Sequence, residues 1–217
     1  MTTNRADEVA TNRVHRTRPE HGEQTRAALL EAARELFASE GYAAVALQQV
    51  CDRAGVTRGA LYHHFAGKDE LFRAVCEEVA DDVSRRVLEL VAPEPDPWSR
   101  LRVGCLSFLD VCADPAVRQI LLSDAPSILG WEAFREIDGR HGLGLLKGAL
   151  QAAIDADAIE PAPVDALAHL LVGALNEAAM VVARAPDPDR ARRDAAEGVE
   201  RMLAGIAGSR QPPGVAG

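Results

Sequence analysis

Apolar residues recur at intervals of three and four through nearly the whole chain, and proline or glycine interrupts them. Trp98, Leu101, Cys105, Phe108 and Cys112 form a 3-4-3-4 stripe, and Phe72, Val75, Val79, Val83, Val87 and Leu90 form another. Such spacing places side chains on one face of a helix. No segment alternates apolar and polar residues with β-branched enrichment, and no Asn-Gly or Asp-Gly pair joins two strands. Asp138-Gly139 falls inside a helical stretch instead. The pattern predicts an all-α chain. Its helices are expected from Glu23 to Gly41 and over 47–54, 58–64, 68–91, 97–113, 115–123, 131–156, 163–184 and 188–207. The breaks between the later ones fall at Pro93-Glu94-Pro95-Asp96-Pro97, Asp114-Pro115, Ala125-Pro126, Pro161-Ala162-Pro163 and Pro186-Asp187-Pro188.

A length of 217 residues fits one domain or two small ones. A hydrophobic content of 47% excludes a disordered chain. The first twenty residues have no apolar core of a signal peptide. Ala166 to Asn176 is the longest uncharged run of the C-terminal half, short of the roughly 20 apolar residues that span a bilayer. Cys51, Cys76, Cys105 and Cys112 form no C-x-x-C pair and lack zinc spacing, so free thiols in a reducing compartment are expected. A cytoplasmic protein without membrane contact follows. Residues 1–20 carry Arg5, Arg13, Arg16 and Arg18 without periodicity and read as a disordered arm, more simply solvated than bound to DNA. Residues 209–217, with Pro-Pro and two glycines, read as a disordered tail.

Function concentrates in Leu47 to His64, which reads as helix, glycine turn, short helix. Gly55 stands just past the first helix, where a left-handed residue is needed. Thr57 can cap the second. At about 100° per residue, Leu61 and Phe65 share the inward face. Gly59 and His63 point outward, with Ala60 and Tyr62 beside them. Small outward residues allow close approach to a major groove, and Arg58 at the helix start can bond guanine O6 and N7. Lys68 opens the next helix and brings a cation to a phosphate.

The run Gly55-Val56-Thr57-x-Gly59-x-x-Tyr62-x-x-Phe65-x-x-Lys68-x-x-Leu71 resembles the signature of the tetracycline-repressor (TetR) family of transcriptional regulators. Ala32-Ala33, Leu36-Phe37 and Gly41-Tyr42 resemble that family's first helix, so the likeness spans about residues 23–72. It implies an N-terminal helix-turn-helix domain, here 21–67, and a larger C-terminal effector-binding and dimerisation domain, here 68–208. It further implies a homodimer on a palindromic operator in double-stranded DNA. Carried over by position, Thr57, Arg58, Gly59, Ala60, Tyr62, His63 and His64 lie on the recognition helix or its cap. Tyr62 and Lys68 match phosphate-contacting positions, and Gln48 matches one that reaches a base. Val45-Ala46 departs from the family, which has Thr or Ser before that helix; a capping oxygen worth about 1 kcal/mol is lost.

The formal charge of −9 disfavours DNA only when averaged over the chain. Residues 1–70 hold 9 basic and 10 acidic groups, a net −1, and residues 71–217 carry the remaining −8. Within 41–68, Asp52 is the only acid against Arg53, Arg58 and Lys68.

For the C-terminal part the resemblance gives a plan without a ligand. In that plan the last two helices pair with their copies. Leu167, Leu170, Leu171, Ala174, Leu175, Ala178 and Val181 are too many for one helix face, which suits burial on two sides, in a dimer or in a larger monomeric core. An effector pocket is expected between the middle helices, with Trp98, Cys105, Phe108, Cys112, Trp131, Phe134, His141, His169, Asn176 and Met180 as candidate walls. Each alone is more simply a core residue. Their apolar character favours a small lipophilic or aromatic effector. No cofactor or metal site is expected. Gly142-Leu143-Gly144 lacks a preceding strand, and no H-E-x-x-H or E-x-x-H occurs. The chain is therefore read as a ligand-responsive repressor and not as an enzyme. The alternative is a helical small-molecule binder or enzyme that keeps only the DNA-binding shape.

Overall fold

The computed structural model describes residues 18–208. They form ten α-helices and one π-helical segment, Val117–Asp124, with no strand among the described residues. The helices are α1 (Arg18–Ala44), interrupted as expected at Gly41 (φ 77°, ψ 160°), α2 (Leu47–Ala54), α3 (Arg58–His64), α4 (Lys68–Val91) and α5 (Pro97–Val111). After the π segment come α6 (Ala125–Ile128), α7 (Trp131–Arg140), α8 (Gly142–Asp155), α9 (Val164–Arg184) and α10 (Pro188–Ala207). The reading of residues 1–20 as an arm lies outside the described residues up to position 17, and that of the 209–217 tail lies wholly outside.

Three boundaries differ from the pattern in the sequence. Helix α1 begins at Arg18, five residues before Glu23, because its first turns carry few apolar residues. Pro19 suits such a first turn, where no amide partner is lost. The break expected at Ala125-Pro126 is instead a change of helix type. The Ala125 N–H donates to the Ile120 carbonyl, five residues back, and the chain runs on into α6. The wider turn carries it past the donor that Pro126 lacks. The stretch 131–156 is broken at His141, whose φ −109° and ψ −93° are not helical. Glycine at 139, 142 and 144 weakens the helix there, and a Cβ on Gly144 would lie 2.8 Å from the Gly139 carbonyl oxygen.

The N-terminal helices close on Leu29, Ala33, Phe37, Val50, Cys51 and Leu61, all fully buried. Phe37, Tyr42 and Phe72 form a three-ring cluster, the Phe37 and Phe72 centroids 5.2 Å apart at 88°. Helix α4 belongs to both halves. Phe72 packs on Phe37 of α1 and Leu71 and Val75 are fully buried, while Val83 and Val87 line the cavity of the C-terminal half. Leu90, expected inward, is 50% exposed, and Val91 lines the cavity in its place. The four cysteines are free and buried.

Helix α9 is 21 residues long and apolar enough, by length and composition, to cross a membrane. The uncharged run in the sequence underestimates it, because the charged residues sit at its ends and at Glu177. It packs between α8 and α10. Its outer face leaves Leu170 70% and Val181 54% exposed, and Met202 of α10 is exposed too.

Candidate functional site

The turn between α2 and α3 is set by Gly55, at φ 67° and ψ 30°. Thr57 follows and caps α3: its Oγ1 accepts from the Ala60 N–H at 3.2 Å. Leu61 is fully buried and Phe65 nearly so, which fixes the roll of the short helix. The opposite face is then open: Arg58, Gly59, Tyr62 and His63 are exposed, while Ala60 and His64 are half-buried. Helix α2 has no side-chain cap at Ala46. Gln49 supplies half of a capping box, its Oε1 accepting from the Ala46 N–H at 2.6 Å.

The candidate base-reading side chains rest on internal partners. Arg58 donates from Nη2 to the Tyr62 hydroxyl at 3.3 Å, and its guanidinium lies 5.8 Å from that ring's centre. Gln48 donates to Asp52 at 2.7 Å. The His63 and His64 rings meet edge to face at 5.2 Å. These are exposed contacts of modest strength, so a groove can replace them at low cost.

Lys68 sits at the joint of the two halves. Its Nζ lies 4.1 Å from the centre of the Tyr42 ring, and burial there lowers its pKa. The Tyr42 hydroxyl donates to Asp69; burial, then that carboxylate, push the phenol up to about 12. Gly67 gives α4 no side-chain cap, and the Ala66 N–H just before it donates to Glu70 Oε2 at 2.6 Å. Asp69 and Glu70 occupy the same turn, so Lys68 carries the positive charge there. On the other side the Tyr42 N–H donates to Asp124 Oδ2 at 2.8 Å, across 82 residues of sequence. Asp124 ends the π-helical segment.

The C-terminal half holds a half-open cavity of about 450 Å³ between α4, α5, the π segment, α7, α8 and α9. Of the candidate walls, Cys105, Phe108, Cys112, Phe134, His141 and Asn176 line it. Trp98, Trp131, His169 and Met180 do not. Trp131 is 70% exposed at the start of α7, with Arg135 stacked on its ring. His169 is exposed, its Nδ1 2.7 Å from the Asp165 carbonyl. Trp98 and Met180 are half-buried, and Trp98 misses the cavity although Pro97 and Leu101 beside it on α5 line it. Helical spacing says that a residue is amphipathically placed, and the packing partner alone says which void it meets. Walls that spacing did not suggest include Ser84, Leu121, Leu122 and Asp138. Asp138 pairs with Arg135 at 2.9 Å, and its burial raises its pKa. His141 Nε2 lies 3.5 Å from Glu77. Burial pushes the Cys105 and Cys112 thiols up to about 12.

Residues 29–75 match the family described as bacterial regulatory proteins, tetR family. Residues 98–206 match the tetracyclin repressor-like C-terminal domain. A TetR-family transcriptional regulator from Pectobacterium atrosepticum has a crystal structure 31% identical in sequence, covering 88% of this chain and 97% of that one, with TM-score 0.74. The transcriptional activator FasR of Mycolicibacterium smegmatis is 36% identical over 88 residues, 41% of this chain and 40% of FasR. The transcriptional repressor KstR2 of Mycobacterium tuberculosis is 35% identical over 77 residues, 36% of this chain and 38% of KstR2. The match thus spans about two fifths of the length of those two relatives. With both halves matched and a solved relative alike along most of its length, the chain belongs to the TetR family of DNA-binding transcriptional regulators.

Proposed function

We propose that the protein is a ligand-responsive repressor that binds a palindromic operator as a homodimer. One observation carries this reading. An open, small-residue helix face and an apolar cavity sit at opposite ends of α4, joined also by the Asp124–Tyr42 bond. Thr57, Gly59 and Ala60 let α3 approach the groove. Arg58 and Gln48 reach bases, Tyr62, His63, His64 and Lys68 serve the rim and phosphates, and residues 21–67 act as the reading head. Residues 68–208 then act as the effector and dimerisation domain. The exposed apolar face of α9, with Met202 of α10, supports pairing with a second copy. That use of α9, buried between two chains, is the reason to assign no membrane role and a cytoplasmic site of action. The family consists of regulators, and we assign this member no enzymatic role.

The response to a lipophilic effector uses two routes. Helix α4 runs from Lys68 to the cavity wall at Val91. The π segment supplies Val117, Leu121 and Leu122 to the cavity and Asp124 to the reading head. An occupant that reseats those leucines moves the support of Tyr42, on whose ring Lys68 rests. The effect on DNA affinity is bounded by the effector's differential affinity for the two conformers. The test is to footprint the purified protein on promoter fragments from its own genomic neighbourhood. Two symmetric protected half-sites, about 34–36 Å apart or a multiple, are expected. Retention of no fragment contradicts the reading. Leu170→Glu should give a monomer by light scattering and lose the footprint; a dimer that survives it contradicts the assigned interface.

A further inference from the structure

Asp138 is the acidic side chain of the cavity wall, and only half of its carboxylate is engaged. It stands on α7 one turn after Phe134, so the two side chains share a helix face, and both line the cavity. Oδ2 accepts from Arg135 at 2.9 Å. No donor among the described residues reaches Oδ1. That oxygen is not sealed off either, since Ser84 Oγ is the one fully buried side-chain polar atom without a partner among the described residues. A Cβ on Gly142, which also lines the cavity, would lie 3.4 Å from Oδ1. Glycine at that position therefore keeps the oxygen uncovered on the cavity side. Asn176 lines the cavity from α9, and its amide likewise has no partner among the described residues.

The charge balance decides which donor suits Oδ1. Arg135 already supplies one positive charge for the negative charge of Asp138, in a pair whose side chains are largely buried. A cation there would shed its hydration to share a neutralised carboxylate. An anion would meet the Asp138 charge itself. Besides the two buried thiols, the other titratable walls are Arg100 and His141. Arg100 is exposed and donates to the Glu94 carbonyl, and His141 faces Glu77, which Arg140 also pairs. Neither leaves a free buried charge for an ionic ligand. An uncharged donor has no such cost. Burial raises the pKa of Asp138, as expected of a carboxylate short of hydration, and such a group gains from a donor that a ligand brings. An O–H bond to a carboxylate is charge-assisted, and the more acidic phenolic O–H donates more strongly than an aliphatic one. Phe134 beside Asp138 and Phe108 across on α5 offer rings for an aromatic body.

We infer that the effector is a phenol, an uncharged aromatic compound whose hydroxyl donates to Asp138 Oδ1 and whose ring lies against Phe134. This rests on the effector-binding reading above and names the chemistry of that site. The test measures 2-naphthol, 2-methoxynaphthalene, 2-naphthoate and 2-naphthylmethylamine by calorimetry on the full chain, on Asp138→Ala and on Asp138→Asn. The methyl ether keeps the rings and lacks the donor. In the wild type, 2-naphthol should bind about tenfold tighter than the ether, and tighter than both ionised analogues. Asp138→Ala should abolish the preference for 2-naphthol over the ether. Asp138→Asn keeps the shape and a neutral acceptor, and should reduce the preference to about threefold. A purely structural role for Asp138 would weaken both compounds alike and leave their ratio at the wild-type value, which overturns the proposal. So does a wild type that binds the ether or either ionised analogue as tightly as 2-naphthol; effector binding then stands. If none of the four binds, the phenol proposal falls. The effector reading falls with it only if a wider set of lipophilic compounds also leaves operator affinity unchanged.

Discussion

The reading head and the regulatory half solve opposite problems with the same element, the α-helix. The head packs α1, two short helices and the start of α4 around fully buried Phe37, Phe72 and Leu61, and leaves the outer face of α3 open. The C-terminal half arranges six elements around a half-open void of about 450 Å³, the proposed effector site. A site on an outer face needs only local rules: a turn, a cap and an inward pair that fixes the roll. A site inside a bundle depends on which helices meet, and therefore on the whole chain.

The largest expected difference between the halves is in stability. Phe37→Ala empties a tightly packed ring cluster and should cost about 3–5 kcal/mol. Phe108→Ala enlarges a void that already exists and should cost less than half as much, roughly 1–2 kcal/mol. Thermal or urea unfolding measures both, and equal costs would mean that the cavity is closed around Phe108 in solution.

The next effect falls on DNA binding. Arg58→Ala should weaken operator binding by about 1–3 kcal/mol and relax the preference at one base position. It should leave the melting temperature alone, since Arg58 is exposed and its bond to the Tyr62 hydroxyl is a surface contact. A binding-site selection with the variant reads both outcomes. Asp124→Ala probes the join between the halves. It strands the Tyr42 N–H, at a cost of about 1–2 kcal/mol, while Asp124→Asn keeps an acceptor and should behave nearly as wild type. If the π segment transmits occupancy, Asp124→Ala also reduces the change in operator affinity on adding effector.

The smallest effects lie at the caps. Thr57→Ala removes the oxygen that holds the Ala60 N–H and should cost about 1 kcal/mol. Ala46→Ser should return about 0.5–1 kcal/mol to α2, where Gln49 now makes only half of the box. Unfolding curves for the pair test whether the head carries the local deficit that Val45-Ala46 suggests.

This division also explains what the sequence makes legible. The all-α class, Gly55, the Thr57 cap and the inward Leu61–Phe65 pair follow from periodicity and turn chemistry, which act within a few residues. The open face of α3 follows from them in turn. The cavity does not. Trp131 and His169 carry the same helical spacing as Phe134 and Asn176, yet they face solvent. Ser84 interrupts no stripe and announces nothing, yet it lines the cavity and its hydroxyl is buried. The Asp124–Tyr42 bond joins residues 82 apart, beyond any local rule. The π segment escapes a 3.6-residue template because its hydrogen bonds reach five residues back.

The central claim is that the face of α3, with Lys68 behind it, reads DNA. The most direct measurement is the salt dependence of operator affinity for the wild type, Tyr62→Ala and Lys68→Ala. Both variants should bind more weakly. The slope of log affinity against log salt should become shallower by about one for Lys68→Ala, the loss of one phosphate contact. Variants that bind with the wild-type affinity and slope would contradict the account.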